Sequence, residues 1–150
     1  MYSITELHEI MTKEQILENF DPSQPGLADA TIFGLPFSAE QSEIIVIPVP
    51  WEVTVSYGSG ASKGPDAVLD ASFQVDLNHQ EFPELWKLGI YLDRPAQDLK
   101  KKSKKYKKQA APIIKALESG MILDHHPSLT KDLEAINYAC SAMVEAVREQ

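Results

Sequence analysis

The sequence predicts an α/β fold with a mostly parallel sheet, and three observations indicate it. The continuous β-branched apolar run at residues 44–49 is typical of a strand buried on both faces, with helices above and below. A loop containing glycines follows, and then Pro65 and Asp66 open a helix. The alternating stretch at residues 86–92 predicts a second strand. This order is how α/β proteins present ligand-binding loops at the carboxyl edge of the sheet.

Composition excludes several classes of function. The 150 residues correspond to one domain, and a net charge of −8 disfavours nucleic acid as a general partner, since neutralising phosphates requires excess Lys and Arg. The single cysteine, Cys140, excludes an internal disulfide. No apolar run approaches the length of a membrane span, and the first fifteen residues lack the features of a signal peptide. A cytoplasmic location without membrane association is therefore expected.

The first forty residues predict one helix and otherwise irregular structure. A helix is expected at residues 12–20, with Thr12 as its cap and Gln15 completing a capping box. Residues 21–29 contain two prolines and predict a surface loop. The apolar residues 32–37 are expected to pack against the domain or against a neighbouring subunit. Two marginal strands are predicted at residues 31–34 and 121–124.

Three further helices are predicted from apolar spacing. The helix opened by Pro65 places Val68, Ala71 and Val75 on one face. A long helix at residues 98–120 ends at Gly120, and Pro112 should kink or split it near Ala111. Its predicted buried stripe consists of Leu99, Tyr106, Ala110, Ile113 and Leu117. The last helix is capped by Ser128 or Thr130, and its apolar positions are Leu133, Ile136, Cys140, Met143 or Val144, and Val147.

Seven lysines lie between Lys100 and Lys108, which is half of the chain's fourteen Lys and Arg residues. An anionic partner that docks on this helix is one interpretation. A solvated face whose lysine stems cover neighbouring apolar surface is the favoured one, because the rest of the protein is acidic.

Isolated residues with potential chemistry are interpreted structurally. Cys140 is predicted to be a buried structural thiol. His79 is expected in a solvated loop, and Asp93, at the end of the second strand, has no partner in view. Neighbouring His125 and His126 would point in opposite directions on an extended segment, so a shared metal is disfavoured.

The segment from Ile44 to Asp76 resembles the amino-terminal signature of the ureohydrolases, the family of arginase, agmatinase and formiminoglutamase. A strand ending in Val-Pro is followed by an aromatic residue and an acid, a Tyr-Gly-x-Gly loop, Gly-Pro and a helix ending Ala-Ser. The stretch PWEVTVSYGSGASKGP is closest to the agmatinase-like branch that includes guanidine hydrolases. It differs from commoner members at Trp51 and Glu52, which leaves the particular guanidino substrate open.

This resemblance implies a three-layer α/β/α sandwich, with residues 1–40 as an amino-terminal extension and 41–150 as the first half of an arginase-like domain. It also implies two metal ions, Mn²⁺ or Ni²⁺, that activate a water for attack on a guanidinium carbon, and a homo-oligomer, either a trimer or a hexamer. The family's metal-ligand motifs (Gly-Gly-Asp-His, Asp-Ala-His-x-Asp and Ser-x-Asp-x-Asp-x-x-Asp-Pro) do not occur in the sequence. The chain is therefore expected to hold no metal, to lack catalytic residues and to be inactive alone.

By the same resemblance, the loop after the first strand contributes to binding of a small guanidino substrate. Thr54 is the first candidate for a contact, with Ser56 and Tyr57 beside it, because hydroxyl oxygens accept hydrogen bonds from guanidinium N–H groups. Trp51 could cover the cation or pack in the core, and Glu52 could bind the guanidinium or cap a local turn. Backbone bends are expected at the loop glycines Gly58, Gly60 and Gly64.

Two other functions stay open on the sequence alone. The chain could be a non-catalytic binding or assembly module derived from the ureohydrolases. It could also be an unrelated α/β domain that binds a small ligand through residues 51–64.

Overall fold

The computed structural model describes residues 11–26, 30–55, 57–96 and 98–150. Within these residues the chain has mixed α/β structure, which confirms the predicted class at this level. The described elements are four α helices and two short strands: α1 (Lys13–Asn19), β1 (Ile44–Val46), α2 (Gly64–Ser72), β2 (Ile90–Leu92), α3 (Leu99–Glu118) and α4 (Pro127–Arg148). None of these helices is both long enough and apolar enough to span a membrane.

Strands β1 and β2 form a parallel pair, with Ile44 opposite Ile90 and Val46 opposite Leu92. The prediction that the first strand is buried on both faces is wrong. Ile44 and Ile45 are 41% and 42% exposed. The two strands are nevertheless parallel, as the sequence predicted.

Strand β2 is shorter than the predicted residues 86–92. Residues Leu85–Leu88 form a 3₁₀ turn instead, which buries Trp86. Gly89 has φ +74°, and a Cβ there would lie 2.9 Å from the Gln41 carbonyl oxygen. Glycine is therefore required where the chain bends into the strand.

The two marginal strands are also wrong. Residues Ile32–Gly34 and Leu123–His125 form single 3₁₀ turns. In the first of them Phe33 has φ +62°, which is incompatible with an extended strand. Thr31 directly precedes this turn, and its Oγ1 accepts a hydrogen bond from the Leu92 backbone N–H at 3.0 Å.

The described residues divide into two compact units, each with its own core. The first comprises Met1–Pro48 and Asp66–Arg94. Its core contains Ile16, Leu35, Phe37 and Trp86, so the predicted apolar patch at residues 32–37 does pack against the domain. Helix α1 has the predicted capping box between Thr12 and Gln15.

The predicted apolar face of helix α2 is not buried. Val68 is 56% exposed, Val75 lies beyond the end of the helix at 52% exposed, and Ala71 is also exposed. The helix is held instead by Ser72, which is buried, and whose Oγ accepts a hydrogen bond from the Phe33 N–H at 2.8 Å.

The second unit comprises Val49–Pro65 and Pro95–Gln150, and its core lies where α3 and α4 pack together. Its buried members are Val53, Ala110, Ile113 and Ile136, and half-buried Cys140 packs against them.

Helix α3 is continuous through Pro112, so the proline does not split it, and Gly120 follows its end as predicted. The predicted stripe is confirmed at Leu99, Ala110 and Ile113 but wrong at Leu117, which is 54% exposed. Ala116 is buried in its place, because positions three and four residues after Ile113 both lie on its side of the helix.

Helix α4 starts at Pro127, with His126 preceding it, and not at a Ser128 or Thr130 cap. Thr130 lies inside the first turn, where its hydroxyl donates to the Leu123 carbonyl oxygen at 3.0 Å. Proline suits the first helical position because its missing N–H would have no partner there.

Candidate substrate-binding loop

The loop at residues 49–63 lies in the second unit and is anchored by alternating side chains. Val53 is buried in the cluster that contains Ile113 and Ile136. Trp51 is half-buried, and its ring packs against Tyr106 with the two centroids 6.5 Å apart. The packing interpretation of Trp51 is therefore the one that the contacts of this unit support.

Glu52 is the centre of the loop's hydrogen bonding and is only 2% exposed. Its Oε2 accepts from the backbone N–H groups of Gly60 and Ser62, each at 2.9 Å. Its Oε1 accepts from the Ser59 hydroxyl at 2.8 Å and from the ammonium of Lys107. The carboxylate thus binds residues 59–62 of its own loop, which corresponds to the interpretation of Glu52 as the cap of a local turn.

Two residues of α3 tie the loop to that helix. The Glu52 backbone N–H donates to the buried Ser103 Oγ at 2.8 Å. Lys107 binds the Glu52 carboxylate and also donates to the Ser59 hydroxyl. Ser103 and Lys107 are four residues apart and therefore lie on one face of α3. One face of α3 therefore binds both the backbone N–H and the carboxylate of Glu52.

The donors around Glu52 keep its carboxyl group ionised. The Lys107 ammonium is the largest influence, followed by the Ser62 N–H and the Ser59 hydroxyl, and together they hold the pKa of Glu52 far below its usual range despite burial. A buried carboxylate is tolerated when its oxygens are fully hydrogen-bonded and its charge is paired.

Two glycines give the loop the curvature that this network requires. Gly58 has φ +67° and Gly60 has φ +142°, both in regions that other residues rarely adopt. The bend at Gly60 brings its own N–H and that of Ser62 to the same carboxylate oxygen. Gly64 differs, because its backbone angles are helical and it begins α2.

Two of the remaining predicted contact residues, Thr54 and Tyr57, lie on the outer side of the loop. Thr54 is exposed, and the Tyr57 side chain is 98% exposed. Ser56 lies outside the described residues. The substrate-binding roles of these residues stay predictions.

The contacts of Ser103 and Lys107 with Glu52 were not predicted from the sequence, because Lys107 is one of seven similar lysines. One signal was present: Ser103 is the only small polar residue in the run and lies four positions before Lys107. A lysine aligned with a buried serine faces the core side of its helix. It is thereby distinguished from its solvated neighbours.

The other residues singled out from the sequence have local roles. His79 is exposed, and its Nδ1 accepts from the Glu81 N–H at 3.2 Å. Asp93 accepts from the Arg94 N–H, and His125 and His126 are exposed at the end of a 3₁₀ turn. Within the described part of the chain, no three His, Cys, Asp or Glu residues are placed to hold a metal ion.

Comparison with known proteins relates part of the chain to one enzyme family and to one enzyme within it. The chain is partially homologous to the ureohydrolases of the arginase family, as the loop motif predicted. The relative is N(1)-aminopropylagmatine ureohydrolase of Synechocystis sp., which is 38% identical over 66 residues. These residues are 43% of this chain and 22% of the relative, so the match spans about a fifth of the relative's length. No family model and no solved structure matches the chain.

Proposed function

We propose that this chain is the amino-terminal part of a metal-dependent hydrolase that releases urea or an amide from a guanidino compound such as agmatine, guanidine or arginine, in the cytoplasm. The observation that carries the proposal is the 38% identity over 66 residues with an enzyme named for N(1)-aminopropylagmatine. The ordered loop that follows β1 supports it, because this loop contains the motif on which the resemblance was based.

In this proposal the loop forms one wall of the substrate cleft. Thr54 and Tyr57 offer exposed hydroxyl oxygens to the planar N–H donors of a guanidinium group. Ser56, which lies between them in the sequence, is proposed as a further contact. Glu52 acts on the substrate indirectly, because its carboxylate oxygens are already occupied by loop and α3 donors. It is therefore a positioning residue that sets the height and direction of Thr54.

The parallel pair of β1 and β2 is, in the same proposal, part of a larger sheet in a three-layer α/β/α sandwich. Both strands have one edge without a partner strand among the described residues, and Ile44 and Ile45 are uncovered. Additional parallel strands and a covering helix would satisfy those backbone groups and bury those side chains.

The residues of the described ranges do not fit a two-metal centre, since no three of their His, Cys, Asp and Glu residues are placed to hold a metal ion. We place the ligands of the proposed Mn²⁺ or Ni²⁺ ions outside these ranges. The loop residues bind and orient the guanidino group in this proposal.

The test has two parts. Sequencing the gene beyond codon 150 should show whether the reading frame continues into Gly-Gly-Asp-His, and the complete product, supplied with Mn²⁺ or Ni²⁺, should release urea from at least one guanidino compound. If the complete enzyme releases neither urea nor an amide from any of the guanidino compounds, the proposal is contradicted. A stop codon after Gln150 would instead favour the assembly module.

Residues 1–150 alone are expected to bind neither Mn²⁺ nor Ni²⁺ stoichiometrically and to show no turnover. Metal analysis after dialysis and a urea assay measure both. Tight binding of either ion by these residues would place a metal site inside the chain and overturn the assignment of its ligands elsewhere.

A further inference from the structure

We propose that α3 docks onto the acidic segment of a second copy of this chain. The docking surface is the lysine face, which consists of Lys101, Lys104, Lys105 and Lys108. Its proposed target is the acidic segment, residues 66–84. Neither region belongs to the loop network around Glu52.

The four side chains of the lysine face are all exposed. Their spacing of three, four and seven residues places them on one side of the helix, opposite buried Leu99, Ser103 and Ala110. At about 1.5 Å per residue, the face is about 10 Å long. The four lysines therefore form a compact cationic stripe, and the exposed Lys100 and Lys102 extend the positive charge to either side of it.

The positive charge of this stripe is poorly compensated within its own unit. Helix α3 contains eight lysines and a single acid, Glu118. Lys101 pairs with Asp98 at 3.3 Å, whereas neither Lys104 nor Lys108 has a hydrogen bond or ion pair among the described residues. Unscreened like charges on one helix face repel each other, and an acidic surface would relieve that repulsion.

The acidic segment has the complementary composition. It contains no Lys or Arg, and its five carboxylate residues are exposed: Asp66, Asp70, Asp76, Glu81 and Glu84. Of these, Glu84 already pairs with Lys87, just beyond the segment. Val68, Val75 and Phe82 are also more than half exposed in the same segment. An interface here would pair charges and bury apolar area together, as stable contacts between proteins do.

A second copy fits the stripe better than another polyanion. The net charge of −8 repels nucleic acid and anionic membranes at long range, whereas the segment at residues 66–84 presents its carboxylates on a protein surface with apolar side chains between them. Because the two surfaces differ, the contact is heterologous and joins copies head to tail.

Sedimentation velocity of the chain should show association at about 20 mM ionic strength that is lost near 0.5 M NaCl, where the Debye length is only a few ångström. Lys104→Glu/Lys108→Glu should weaken the association at least about tenfold. Lys63→Glu/Lys131→Glu is the matched control, since it changes net charge equally at exposed lysines outside α3. It should leave the association largely intact.

A charge exchange identifies the partner surface. Asp70→Lys/Asp76→Lys should also fail to self-associate, and mixing it with Lys104→Glu/Lys108→Glu should restore a complex. Circular dichroism confirms that each variant is folded. A wild-type monomer at low salt, salt-insensitive association, equal losses in both lysine variants, or no complex in the mixture would each overturn the proposal.

Discussion

Glu52 shows how one buried side chain can organise a loop. Its two carboxylate oxygens receive two backbone N–H groups, a hydroxyl and an ammonium, and its own N–H is bound by Ser103. The carboxylate therefore replaces the backbone hydrogen bonds that regular structure would have supplied to this segment. The exposed position of Thr54 depends on that replacement.

Glu52→Gln should lower the thermal unfolding midpoint of the chain. The amide keeps the shape but loses the charge that Lys107 neutralises, and its NH₂ group would face a backbone N–H or the ammonium. The control is Glu145→Gln, which removes an exposed ion pair with Arg148 and should change stability by less than about 1 kcal/mol. Equal midpoints for both variants would show that the Glu52 network is not stabilising.

The pH dependence of stability should differ between the wild type and Glu52→Gln. Because folding lowers the pKa of Glu52, the ionised carboxylate stabilises the folded state above the unfolded value near 4.5, and this contribution is lost as pH falls toward the folded pKa. Chemical denaturation from pH 7 to pH 3 should show the two proteins converging at acid pH. A constant difference in unfolding free energy would contradict this assignment.

Thr54→Ala, made in the complete enzyme, tests the loop as a substrate wall. Loss of one hydrogen bond to the guanidinium should reduce kcat/KM by about 2- to 10-fold. Metal content and thermal midpoint should stay unchanged because Thr54 is exposed, and Thr54→Ser should restore activity. Unchanged kinetics would remove Thr54 from the site.

At the scale of elements, local sequence explains where α1 begins and where α3 ends. The capping box of α1 and the glycine after α3 involve residues three or four positions apart, and such contacts form as soon as the helix does. The extended segments were predicted less well. Residues 31–34 and 121–124 have strand-like composition, but a strand requires backbone pairing, and within the described ranges only β1 and β2 are paired.

Pro112→Ala should stabilise α3. The proline removes one N–H from the helix interior, and alanine would restore the bond to the Lys108 carbonyl oxygen, raising the free energy of unfolding by about 1 to 3 kcal/mol. Ala111→Gly, at the exposed neighbouring position, should lower it by about 1 kcal/mol. Urea denaturation measures both, and destabilisation by Pro112→Ala would mean that the proline shapes the contact with α4.

At the scale of the whole molecule, apolar surface stays exposed on strand and helix alike. Ile44 and Ile45 on β1 and Val68 on α2 are each more than 40% exposed. Scattered exposed apolar residues are ordinary, but side chains on a parallel strand are normally covered. The proposed larger sheet would explain this exposure, because its additional strands and covering helix would bury Ile44 and Ile45.

Ile44→Thr/Ile45→Thr should reduce binding of a hydrophobic dye such as ANS to the chain, since threonine keeps β-propensity while lowering apolar area. Helix content measured by circular dichroism should not change. In the complete enzyme the same double substitution should be destabilising, because the proposed sheet would bury these positions. Destabilisation of the 150-residue chain to the same extent would show that the strand is already covered.

The sequence by itself determined the α/β class, the ends of α1 and α3, the glycine-dependent bend of the loop and the family to which part of the chain is homologous. These features depend on residues that are near neighbours along the chain or on a motif of about thirty residues. Only the tertiary structure decided that Glu52 pairs with Lys107, that β2 is three residues long and that Leu117 is exposed while Ala116 is buried. Which lysine among seven meets the carboxylate 55 residues earlier depends on how α3 is rotated against the loop, and packing sets that rotation.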